Sequence, residues 1–144
     1  MHDVGKIAIP DKILLKPARL TPDEFEVIKT HTTKGCEIIK TLDFIDDQKF
    51  FNYCLDICRY HHERYDGKGY PDGLKGEEIP IWAQCVSLAD VYDALVSERV
   101  YKAAYSPEDA YEMILNGECE VFSPRIIECF SGLRGEFEEM IASA

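Results

Sequence analysis

His61-His62-Glu63-Arg64-Tyr65-Asp66-Gly67-Lys68-Gly69-Tyr70-Pro71-Asp72-Gly73-Leu74-Lys75-Gly76 decides how the chain is read. The stretch opens with adjacent imidazoles at the end of a helical pattern and runs into a loop with four glycines, too polar and too breakable to be core. Such a loop needs a reason to be ordered. Neighbouring histidines on a helix point about 100° apart, so they are poorly placed to chelate one ion together but can each hold a different ion of a cluster. A helix C-terminus where imidazoles meet the last carbonyls, followed by glycine turns, explains His-His alone at least as well.

Upstream of the histidines, Asp46-Asp47 opens a helix whose apolar stripe is Phe50, Cys54, Ile57 and Cys58, so the imidazoles extend an apolar face. Cys54 and Cys58 share a stripe with His61 and His62, the spacing of a thiolate-imidazole zinc site; a core stripe explains that spacing equally well. The six cysteines contain no CxxC and are too sparse for a disulfide scaffold, and most read as buried, reduced, small hydrophobes.

Before that helix, Thr21-Pro22-Asp23-Glu24 is a helix start with a capping box and proline in the first turn. The periodicity carries the helix to about Leu42, with Phe25, Ile28, His31, Gly35 and Ile38 or Ile39 on the core face. A single histidine on such a face is more often a hydrogen-bonded core residue than a ligand. At the chain start, His2-Asp3-Val4-Gly5-Lys6 sets an imidazole beside a carboxylate with Lys6 one turn on, and Ile13-Leu14-Leu15 reads as a short helix ended by Lys16-Pro17.

After the glycine loop, Pro80 starts a helix to about Ser97 with Trp82, Val86, Ala89 and Asp93 as one face and Asp90 one turn before Asp93. A carboxylate among apolar neighbours must be paired, protonated or metal-bound. Ser106-Pro107 and Ser123-Pro124 start further helices, and an acidic helix is expected from Glu136. The class expected is all-α, a helical bundle with one long irregular loop.

With 144 residues and 46% hydrophobic content, the chain suits a single domain, residues 1–144, with one core. A net charge of −11 excludes a general DNA or RNA binder, because an acidic surface repels phosphate backbones; an anionic ligand needs local cations to reverse the sign. No apolar run exceeds three residues, which excludes a membrane span, and Met1-His2-Asp3 is no secretory leader; the chain reads as cytoplasmic.

Taken together, His2-Asp3-Val4-Gly5-Lys6, Lys16-Pro17-Ala18-Arg19-Leu20-Thr21, His31, His61-His62-Glu63 with Asp66-Gly67-Lys68-Gly69-Tyr70-Pro71, and Ala89-Asp90-Val91-Tyr92-Asp93-Ala94-Leu95 resemble the HD-GYP domain, a branch of the HD phosphohydrolase superfamily. The resemblance runs from Met1 to about Phe130. It implies an HD-type helical bundle holding two or three divalent ions, iron or manganese, that opens cyclic di-GMP to pGpG and then GMP. By the same resemblance His2, Asp3, His31, His61, His62 and Asp90 are metal ligands, with Asp3 bridging two ions. Lys6 acts with Asp3 at the scissile phosphate, and Asp93, Arg99 and Lys102 face substrate. Gly69, Tyr70 and Pro71 form the signature loop, associated with substrate access and with diguanylate-cyclase-type partner domains.

Hard oxygen and imidazole donors suit iron or manganese, and such ions activate water for in-line attack on phosphorus. Lys6 would offset charge growing on the non-bridging oxygens. The chain starts at the HD pair, where family members usually carry earlier helices with further ligands, so it is expected to be N-terminally truncated, short of at least one ligand and prone to dimerise through exposed apolar surface. Ala18 and Ser123 replace residues common in the family. Two alternatives stay open: an impaired module acting through protein contacts, and a phosphohydrolase for another phosphate ester or cyclic dinucleotide.

Overall fold

The computed structural model describes residues 1–42, 46–98 and 103–136. Its helices are α1 (Asp11–Leu14), α2 (Pro22–Lys29), α3 (His31–Ile39), α4 (Gln48–Tyr60), α5 (Ile81–Val96), α6 (Pro107–Leu115) and α7 (Pro124–Gly132), with short 3₁₀ turns at Val4–Ala8 and Gly76–Glu78. No strand occurs among the described residues, and no helix there is long and apolar enough to cross a membrane.

Side-chain caps set most of the helix starts. The Thr21 hydroxyl accepts from Glu24 N and the Glu24 carboxylate accepts from Thr21 N, closing the expected capping box of α2. Asp47, Ser106 and Ser123 cap α4, α6 and α7 in the same manner, each satisfying first-turn N–H groups.

The expected continuous helix from Thr21 to Leu42 is two helices. Thr30 separates them, because its hydroxyl donates to Val27 O at 2.6 Å and its N–H bonds back to the same carbonyl, tightening the turn. The change of direction leaves Phe25 44% exposed, although it was expected on the core face, while His31 stays fully buried. Phe50 is likewise exposed rather than part of the α4 stripe, which reduces to Cys54 and Cys58.

The interior is two apolar clusters rather than the single core expected. One joins α3 to α4 through Cys36, Ile39, Cys54 and Cys58; the other joins α5, α6 and α7 through Leu88, Leu95, Ala110, Tyr111, Ile114, Ile126 and Phe130. On α5 the buried face is Ala83, Gln84, Ser87, Leu88 and Leu95, whereas Ala89 and Asp93 are exposed, so the face read from the sequence is rotated. That helix is apolar on most sides, and periodicity fixes a face poorly when no polar stripe contrasts with it. Helices α4 and α5 meet across the seam, where Trp82 packs on Tyr53 at 4.5 Å and donates its indole N–H to Asp56.

Three of the six cysteines are buried, Cys119 is partly buried, and Cys85 and Cys129 are exposed. The expected acidic C-terminal helix falls largely on residues 137–144, which lie outside the described residues.

Candidate metal centre

The chain start is pinned beside α3 by two glycines. A Cβ on Gly5 would lie 1.9 Å from the His31 carbonyl oxygen and 2.5 Å from Gly35 N, so the Val4–Ala8 turn can press on α3 only with hydrogen at that position. This contact carries His2 and Asp3 to the buried end of α3. Asp3 Oδ1 comes within 3.4 Å of His31 Nε2 and 3.9 Å of His61 Nε2.

The tautomers of both rings follow from the main chain. His31 Nδ1 faces Ile28 O at 2.8 Å, and His61 Nδ1 faces the carbonyls of Ile57 and Cys58 at 3.0 and 3.1 Å. A carbonyl only accepts, so each Nδ1 carries the proton and each Nε2 presents a lone pair. Those two lone pairs face each other at 3.3 Å, and Asp3 Oδ1, buried beside them, has no hydrogen-bond partner. Three acceptors thus converge with no donor among them. A bound cation removes that conflict, and the donor set fits a divalent ion of borderline or hard character.

His62 belongs to the same cluster. Asp3, His31, His61 and His62 can each offer one ligand atom with all four atoms within 4.8 Å of one another, and His2, Asp3 and Asp90 form a second such group. His61 and His62 thus fall in one donor group, nearer each other than the ~100° separation of an ideal helix suggests. Helix α4 ends at Tyr60, His61 is its C-cap and His62 lies in the following turn, so helical geometry no longer separates the rings, whose centroids are 4.1 Å apart. The cysteine alternative is also set aside: Cys58 Sγ donates to Thr32 O, and neither Cys54 nor Cys58 joins a ligand group.

Electrostatics hold the donors in ligand form. Burial, reinforced by the neighbouring imidazoles, pushes His61 down to about 4 and His62 to about 3, and burial also lowers His31. Burial alone would raise the Asp3 carboxyl, but the Lys6 hydrogen bond and charge, with His2 and His31, hold it below the usual range. Lys6 Nζ sits 2.6 Å from Asp3 Oδ2, leaving Oδ1 directed at the histidines.

The glycine loop is folded back on this centre by Glu63. Its buried carboxylate accepts from the N–H groups of Asp72, Gly73 and Leu74 at 2.7 to 3.0 Å, while Arg59 grips Asp72 through two further bonds. Gly69 packs so tightly that a Cβ would fall 2.3 Å from Arg64 N, and Tyr70 N bonds to His62 O. The Tyr70 ring consequently stacks on His62 at 4.8 Å with 27° between planes. Glu63 was not singled out as a site residue; its place beside His-His was the only sequence signal available.

Asp93 is exposed, one turn from Asp90 and outside both donor groups; Arg99 and Lys102 lie outside the described residues.

A family model described as HD domain matches residues 1–126. The chain is 45% identical over 132 residues to a probable cyclic di-GMP phosphodiesterase of Vibrio cholerae, covering 90% of this chain and 30% of that protein. It is 44% identical over 140 residues to a cyclic di-GMP phosphodiesterase of Thermotoga maritima, covering 97% and 37%. Identity is 36% over 142 residues to a 3'3'-cGAMP-specific phosphodiesterase of Vibrio cholerae, covering 99% and 26%. The chain thus spans between 26% and 37% of the length of these relatives. With most of its length matched by the family model and its donor residues drawn together as the HD and His-His motifs require, the chain belongs to the HD domain family.

Proposed function

We propose that this chain is the catalytic unit of a metal-dependent phosphodiesterase that opens cyclic di-GMP to pGpG and GMP. The observation that carries the reading is the convergence of Asp3 Oδ1, His31 Nε2 and His61 Nε2 without a hydrogen between them, beside a second group that shares Asp3. Two donor groups with a common carboxylate suit two adjacent divalent ions, manganese or iron by donor type, and His2, His31, His61, His62 and Asp90 would contribute to their shells. Bound ions of this kind supply an activated water and stabilise charge on phosphate oxygens.

The chain's own residues prepare the rest. The low-pKa imidazoles of His61 and His62 stay neutral, so that protons do not compete for their ring-nitrogen lone pairs near neutral pH. Lys6, which is partly exposed beside Asp3, faces a non-bridging oxygen of the scissile phosphate and offsets the charge that builds there. Asp93, Arg99 and Lys102 are assigned to the rest of the substrate. Tyr70 with its loop covers the His62 side of the centre and limits access of water. The exposed side chains of Met1, Ile7 and Leu15 favour self-association or contact with a partner domain, including one of the diguanylate-cyclase type.

Cyclic di-GMP is preferred to a mixed cyclic dinucleotide because relatives named for the former are 37 to 45% identical and those named for the latter 31 to 36%. Loading the chain with Mn²⁺ or Fe²⁺ under reducing conditions and following cyclic di-GMP by chromatography tests the reading. pGpG and GMP are expected, and no product above a His61→Ala control overturns it.

A further inference from the structure

We infer that the cavity between α2, α3 and the Tyr70 loop is a purine-base subsite. The inference rests on the cyclic-dinucleotide reading above and names where one base of that substrate sits. The cavity holds about 360 Å³, within the range of small-molecule sites, and lies between Glu26, Lys29, Thr30 and Thr33 on one side and Tyr70 on the other.

Tyr70 is its shared wall with the metal centre. One face of the ring stacks on His62, so a ligand in the cavity is separated from the donor cluster by a single ring. His31, another donor, is flanked by the cavity residues Thr30 and Thr33 on the opposite wall. A nucleotide spans such a separation, its phosphate at the donors and its base in the cavity.

The lining has the chemistry a base requires. Phe25 is turned outward instead of into the core and meets the lining residue Tyr70 edge-to-face at 6.3 Å, which builds an aromatic corner beside the cavity. Lys29 Nζ lies over both rings, at 5.0 and 5.5 Å, and is tied to Glu26 at 2.6 Å. An ammonium and a carboxylate held side by side offer adjacent donor and acceptor positions. Purine edges carry the complementary pair: Lys29 suits O6 or N7 of guanine, and Glu26 suits its ring and exocyclic N–H groups. A base edge that draws the Lys29 ammonium off the two rings opens an aromatic face on which the base stacks. Another cavity of similar volume, about 330 Å³ beside Ala8, Lys34 and Ile38, has no aromatic wall and lacks these features.

Calorimetric titration with 5′-GMP and with ribose 5-phosphate, on Mn²⁺-loaded and on chelator-treated protein, separates base binding from phosphate binding. The wild-type chain is expected to prefer GMP by about tenfold or more, which corresponds to about 1.4 kcal/mol and to one stacked base. Lys29→Ala should reduce that preference several-fold, and Thr33→Trp, which fills the cavity, should bring it to near one while ribose 5-phosphate binding and metal content stay unchanged. Equal affinity for the two ligands in the wild type, or an unaltered preference in both variants, overturns the subsite. Failure of both ligands to respond to Mn²⁺ counts against the phosphodiesterase reading instead, and the GMP preference of the chelated protein still decides the base site.

Discussion

Gly5 and His31 are in direct backbone contact: no side chain fits between the Gly5 α-carbon and the His31 carbonyl oxygen, which a Cβ would approach to 1.9 Å. The atoms it would strike are main chain and cannot swing away. Gly5→Ala is therefore expected to destabilise the fold by about 3 kcal/mol or more and to weaken metal binding, since it pushes Asp3 away from His31. Gly132, in α7 with open space around it, is the control, and Gly132→Ala should stabilise by about 0.5 to 1 kcal/mol. Thermal unfolding with metal analysis of both variants checks the contrast; equal behaviour would remove the role assigned to the contact.

The metal-free protein should lose stability in mild acid. An unfolded histidine protonates near pH 6.5, whereas folded His61 and His62 take a proton only near about 4 and 3. Between those values the unfolded chain binds more protons, so stability falls as pH drops through 6.5 and levels off below the folded values. Two such groups imply a loss of a few kcal/mol, readable by urea unfolding from pH 7.5 to 4. His62→Gln should flatten the slope, and a slope equal to wild type would contradict the assignment.

Removing the Glu63 carboxylate should free the glycine loop before it unfolds the bundle. Three N–H groups lose a charged acceptor in Glu63→Ala, each such bond being worth about 1.5 to 3 kcal/mol at most and less where water replaces it. Hydrogen exchange at Asp72, Gly73 and Leu74 is expected to rise by at least tenfold, with a smaller rise for Glu63→Gln. Unchanged protection would show that Arg59 and Gly69 hold the loop without it.

Adding Mn²⁺ should stabilise the wild type, since a ligand that binds only the folded state contributes about 2.7 kcal/mol at a hundred times its Kd. His61→Ala should abolish most of the rise in Tm. A rise that survives the substitution would place the ion elsewhere.

Much of the centre was legible only through motifs taken together, since each residue alone has a structural reading. Taken singly, His31, His61-His62 and Asp90 read as well as core, cap or paired residues; the resemblance to the HD-GYP domain singled them out together with His2-Asp3, and the structure brings all of them into two adjoining donor groups. The helix starts were legible too, since caps at Thr21, Asp47, Ser106 and Ser123 are local chemistry. What escaped was set at longer range. The break at Thr30 depends on a hydroxyl choosing a carbonyl over solvent, and the outward turn of Phe25 makes sense only once Tyr70 is beside it. The closeness of His61 and His62 also escaped, because α4 ends at Tyr60 and helical spacing does not extend to their rings.

Because the interior is divided, Asp90 rides on α5 with one apolar cluster while Asp3, His31 and His61 stand over the other. The donors therefore straddle the seam between the two clusters, and the α4–α5 packing at Trp82 joins the halves that carry them.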